Sequence, residues 1–186
     1  MLTRIQSIKT LSLATATALT LALTGCQTMG MDGTADAPEL ASTLTSTDGN
    51  EVTVGQVVLR PVETGVQVYG EFMGLNPNST YALHIHETGS CGNGGKYAGG
   101  HFNPTDKPHG HPDEEASHAG DLPNLETDAE GKAVINYVNN DISTTPMQDD
   151  SVYNRSFVLH DGADDYVSQP SGNSGDRLAC GIIVAS

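Results

Sequence analysis

Basic residues are scarce in this chain: eight lysines and arginines stand against 23 aspartates and glutamates in 186 residues. Nucleic acid is therefore excluded as a natural partner, because phosphate contacts require clustered cations. Helical periodicity is missing from the whole body of the chain, which argues against a bundle or an α/β fold. The uncharged run Thr10 to Leu23 is too short for a membrane span. Cysteine is limited to Cys26, Cys91 and Cys180, and histidine to seven positions.

The first stretch, MLTRIQSIKTLSLATATALTLALTGC, reads as an export signal: Arg4 and Lys9 precede the apolar run, and Leu23-Thr24-Gly25-Cys26 follows it. The Leu-x-Gly-Cys ending resembles a bacterial lipobox, with residues 1–25 removed and Cys26 carrying lipid. Gln27, rather than an aspartate, after the cysteine points to the outer membrane. Residues 26–47 are small and polar and read as a tether, leaving 48–186 as the folded domain. An exported protein meets an oxidising compartment, so the remaining pair, Cys91 and Cys180, is read as an intramolecular disulfide; two separate buried thiols are the alternative.

Beyond the tether the pattern is that of strands. EVTVGQVVL and GVQVYGEF flank the turn-like Glu63-Thr64-Gly65, and YALHIHE follows turn material. NLETDAEGKAVINYV holds a hairpin turn at Asp128 to Gly131, and NRSFVLH and LACGIIVAS close the chain. The expectation is an all-β domain, an antiparallel Greek-key sandwich or barrel of immunoglobulin-like type. Between Thr88 and Pro123 periodicity vanishes, and a loop of that length inside a compact domain needs a special reason.

Histidine supplies one. In LHIHE, His84 and His86 alternate with Leu83 and Ile85, so on a strand they share a face. Alone, the pair is weak evidence, because two solvated histidines on an exposed strand face are the commoner case. Four more histidines sit in the irregular stretch, and His101-x7-His109-x8-His118-x2-Asp121 offers three imidazoles and a carboxylate, a donor set for tetrahedral zinc. A solvated acidic loop is the competing reading.

Taken together, LHIHE, GGHFNP, the spaced His109 and His118-Ala119-Gly120-Asp121, VLHDGADD at 158–165 and RLACG at 177–181 resemble Cu/Zn superoxide dismutase in its exported bacterial form. The resemblance runs from about residue 49 to the C-terminus and includes Val66-x-Val68-x-Gly70-x3-Gly74-Leu75. It implies that His84, His86, His101 and His160 bind copper, that His101 also bridges to zinc, and that His109, His118 and Asp121 complete the zinc site. It implies further that Asp164 links the two sites, that Cys91 and Cys180 are bonded, and that Arg177 guides superoxide while His101 exchanges a proton. His111, one residue from His109, is left as a solvated side chain. Lys96, or failing it Lys107, is expected to supply the local positive field, because the loop 161–176 holds no lysine. The alternative function is a non-catalytic copper- and zinc-binding envelope lipoprotein, and oligomeric state is open between monomer and homodimer.

Overall fold

The computed structural model describes residues 37–186. The export signal, Cys26 and Gln27 lie outside the described residues.

The strands are β1 (Leu40–Ser46), β2 (Thr53–Val62), β3 (Gly65–Phe72), β4 (Thr80–Tyr81), β5 (Leu83–His86), β6 (Leu125–Glu126), β7 (Ala133–Asn139), β8 (Ser156–His160), β9 (Arg177–Ile182) and β10 (Val184–Ala185). One 3₁₀ turn, Lys96–Ala98, interrupts the long loop. All strand pairings are antiparallel. The main sheet runs β5-β8-β9-β1-β2-β3-β7, with β10 alongside β1, while β4 and β6 pair separately. The chain thus crosses from β3, next to the edge strand β7, to β5 at the opposite edge of the sheet, a Greek-key type of connection.

Residues from both ends of the sheet meet in one core: Leu83, Ile85, Phe157 and Leu159 from β5 and β8 join Val57, Leu59, Val68 and Ile135 from β2, β3 and β7. The sheet is therefore curled over its own interior, as a twisted antiparallel sheet must be to bury one face. Truncating one of the fully buried leucines to alanine is expected to cost about 2–5 kcal/mol.

The tether reading of 26–47 needs correction, because 40–46 form β1 in the middle of the sheet, paired with β2, β9 and β10. The segment looks like a linker because its inward positions are Leu40, Ser42 and Leu44, with Ser42 small and polar. That small residue is dictated by packing. At Gly181 on β9, a methyl group would collide with the Ser42 hydroxyl and the Thr43 carbonyl, so the two strands pass too closely for larger side chains.

Candidate metal centre

β5 is buried on both faces, with Leu83 and Ile85 in the core and His84 and His86 on the opposite side. Its partner β8 brings His160 to the same side, and a register shift between Leu159 and His160 pairs His160 with Arg177 on β9. Bulges of this kind re-aim side chains beside functional sites. The Nε2 atoms of His86 and His160 lie 3.4 Å apart.

The long loop lies along β5 as an added strand. Phe102 N–H donates to the Ile85 carbonyl and Ile85 N–H to the Gly120 carbonyl, each at 2.8 Å. At Gly120 a side chain would strike the Ile85 carbonyl, so glycine is required for this approach. The consequence is that His101 and Asp121 sit beside β5, bridged to His86 and His84 respectively. His101 lies with its ring centroid 4.0 Å from that of His84.

Two donor sets result: His84, His86, His101 and His160, and then His101, His109, His118 and Asp121. Within each set the ligand atoms lie within 4.8 Å of one another, and every member is buried. His101 belongs to both. Its Nδ1 faces the Asp121 carboxylate at 2.8 Å and lies 3.4 Å from His118 Nδ1, while the Asp121 carboxylate also reaches His109 Nδ1 at 3.0 Å and His118 Nδ1 at 3.3 Å.

Two buried ring nitrogens in these sets, His84 Nδ1 and His101 Nε2, make no hydrogen bond. Leaving such atoms unsatisfied costs about 1–3 kcal/mol each, so the arrangement makes sense only if something binds them. Four imidazole nitrogens suit copper(II), and three imidazoles with a carboxylate suit zinc, so the residues present fit both metals.

The outer nitrogens are fixed as well. Asp164, fully buried, accepts from His84 Nε2 at 2.8 Å through one oxygen and from His109 Nε2 at 2.9 Å through the other. His86 Nδ1 donates to the Gly99 carbonyl at 3.0 Å and His160 Nδ1 to the Gly175 carbonyl at 3.4 Å. These bonds select the tautomers that leave the inner nitrogens free for metal.

The electrostatics follow. Burial lowers the pKa of His84 to about 3 and that of His160 to about 4, and holds His86 well below its usual value. Burial also lowers His101, against the opposing pull of Asp121. These imidazoles are held neutral, the form that ligates metal. In His109 burial acts downward too, but the hydrogen bonds to Asp121 and Asp164 prevail and raise it to about 9. Burial acts upward on Asp121 and Asp164, and their histidine partners outweigh it, so both remain carboxylates.

A cavity of about 420 Å³ opens onto the first set, lined by His86, His101, His160, Ser171, Ser174 and Arg177 among others. Arg177 is half-buried, and its Nη1 and Nη2 donate to the Gly95 and Gly99 carbonyls at 2.6 Å each. Both glycines have positive φ, 77° and 79°, which side chains disfavour. The carbonyls that orient Arg177 were not apparent in the sequence, although the glycine-rich GGKYAGG was the available signal.

Cys91 and Cys180 form a disulfide with Cα atoms 5.6 Å apart, tying the loop to β9. Lys96 is exposed and follows Gly95 directly, in the same turn that holds Arg177. Lys107 lies elsewhere on the loop, its backbone bonded to Asn103. His111 belongs to neither donor set: its half-exposed ring rests 4.6 Å from that of Tyr166, with Asp113 nearby.

Comparison with known proteins agrees with this geometry. The family described as copper/zinc superoxide dismutase (SODC) matches residues 53–183. Superoxide dismutase (Cu-Zn) 2 of Aquifex aeolicus is 39% identical over 144 residues, covering 75% of this chain and 83% of that protein. An extracellular superoxide dismutase (Cu-Zn) of Haemonchus contortus is 39% identical over 137 residues, covering 70% of this chain and 73% of its own length. The crystal structure of a SOD-like protein from Bacillus subtilis superposes with a TM-score of 0.69 at 33% identity, over 76% of this chain and 96% of that one. With a match that includes β2 to β9, both donor sets and Arg177, the chain belongs to the copper/zinc superoxide dismutase family.

Proposed function

We propose that this protein converts two superoxide anions and two protons into molecular oxygen and hydrogen peroxide, at a copper site held by His84, His86, His101 and His160. The observation that carries the reading is the position of His101, shared between both donor sets at the cavity that Arg177 lines. Copper, when bound, supplies the one-electron exchange that no side chain provides. Zinc is assigned to His101, His109, His118 and Asp121.

The chain's own residues bind, orient and protonate. Arg177 presents a fixed cation to the incoming anion, held by its two carbonyl bonds so that little reorganisation is needed on encounter. His101 Nε2 accepts a proton in one half of the cycle and delivers it to the reduced oxygen species in the other, with the second proton coming from water. Its Nδ1, engaged on the Asp121 side, keeps the ring in place throughout. Asp164 holds His84 and His109 in matching tautomers.

A metal store would need the ligands but not a half-buried arginine at the cavity. Superoxide disproportionation by the copper- and zinc-loaded protein, scaled to copper content and followed against ionic strength, tests the proposal. A fast rate that falls with salt is expected. A negligible rate at full metal occupancy would overturn it in favour of storage.

For location, the proposal is a periplasmic protein anchored through lipid on Cys26 after removal of residues 1–25, with the tether ending before Leu40. The motif Leu-x-Gly-Cys supports it, and labelling with a radioactive fatty acid, lost in Cys26→Ala, checks it.

A further inference from the structure

Gln169, in the loop between β8 and β9, closes two hydrogen bonds on the backbone of a single distant residue. Its Nε2 donates to the His109 carbonyl at 2.8 Å, and its Oε1 accepts from the His109 N–H at 2.9 Å. A carboxamide is the one side-chain group that offers a donor and an acceptor side by side in this way. A second tie runs through the same residues. At Gly172 any side chain would collide with the Asp164 carboxylate and with His109 Nε2, so the loop backbone is pressed onto that hydrogen bond. Gly172 N–H donates to the Ser168 carbonyl at 2.7 Å, and its own carbonyl accepts from Asp165 N–H at 2.9 Å, which closes the turn around Gln169.

Directly after Gln169 come Pro170 and Ser171, and both line the cavity with His101 and Arg177. Further along the loop, Gly175 lines it too and accepts from His160. The wall of the cavity is therefore built upon the backbone of His109. We infer that Gln169 is a positioning residue that couples the zinc ligand His109 to the cavity wall at Pro170 and Ser171, so that filling the zinc set fixes the approach to copper. The inference rests on His101, His109, His118 and Asp121 being the zinc ligands.

Two variants of the full chain test it. Gln169→Ala removes both bonds, whereas Gln169→Glu keeps the shape and the acceptor but sets an oxygen against the His109 carbonyl. Zinc affinity is measured by chelator competition. Azide binding to the copper site is then followed by visible absorption with both metals saturating. Zinc affinity is expected to fall roughly ten- to hundredfold in Gln169→Ala, and by a smaller factor in Gln169→Glu. Azide affinity of the loaded alanine variant is expected to shift by roughly two- to thirtyfold, a readout that loss of fold stability would not move. Zinc affinity within twofold of the unmodified protein, or unchanged azide binding despite weakened zinc, overturns the coupling. Failure of the unmodified protein itself to take up zinc would instead remove the ligand assignment on which the inference stands.

Discussion

Replacing Asp164 by asparagine keeps the shape of a buried side chain and changes its chemistry. The carboxylate accepts from His84 Nε2 at 2.8 Å and from His109 Nε2 at 2.9 Å, and Oδ1 also accepts from the Tyr166 amide at 2.7 Å. An asparagine offers one accepting oxygen and one NH₂, so one imidazole must face a donor with a donor. That ring can escape only by moving its proton to Nδ1, the nitrogen needed for metal. Oδ1 takes two N–H groups, from His109 and from the Tyr166 amide, and the amide cannot shift its proton, so the carboxamide oxygen stays on that side and the NH₂ faces His84 Nε2. His84 belongs to the first donor set and His109 to the second. Copper should therefore suffer more than zinc. Loss of a supporting hydrogen bond of this type weakens metal binding by about ten- to hundredfold, or roughly 1.4–2.8 kcal/mol. Chelator competition for each metal separately gives the two affinities, with the neighbouring exposed Asp165→Asn as control. Copper affinity unchanged within twofold, or zinc weakened more than copper, would refute the reasoning.

Arg177→Ala should lower the superoxide rate while both metals stay bound, since Arg177 bonds to the Gly95 and Gly99 carbonyls and belongs to neither donor set; an unchanged rate at low salt rejects its role. Lys96→Gln should flatten the ionic-strength dependence, because Lys96 adjoins the turn that holds Arg177; an unaltered salt profile moves the steering elsewhere. His109→Ala should abolish zinc retention and His111→Ala should leave it intact, as metal analysis after dialysis will show, because only His109 lies in the second donor set. For the metal-free protein, urea titrations should find greatest stability near the ordinary histidine pKa. Below about 6.5, unfolded imidazoles take protons that folded His84 and His160, at about 3 and about 4, refuse, so stability falls as pH drops toward 4. His109 acts oppositely: its contribution is complete below about 6.5 and is lost as pH rises through about 9. A flat profile between these limits would contradict the assigned proton positions.

Much of the sheet could be read from alternation alone. GVQVYGEF became β3 at Gly65–Phe72, and the sharing of one face by His84 and His86 follows from the two-residue period of a strand, because neighbouring Leu83 and Ile85 are drawn into the core. The disulfide between Cys91 and Cys180 was likewise legible from the cysteine count and the export-like first stretch, without geometry. β1 was hidden because its apolar content is low, and the cause, close passage past Gly181, exists only once β9 is laid beside it. The division of labour has a physical basis. Local periodicity and residue chemistry are carried by the chain itself, so strands and candidate ligands were determined by the sequence. Which nitrogen of each imidazole is free, what holds Arg177, and why Gln169 meets His109 depend on contacts between segments far apart in the chain, and those only the tertiary structure decided.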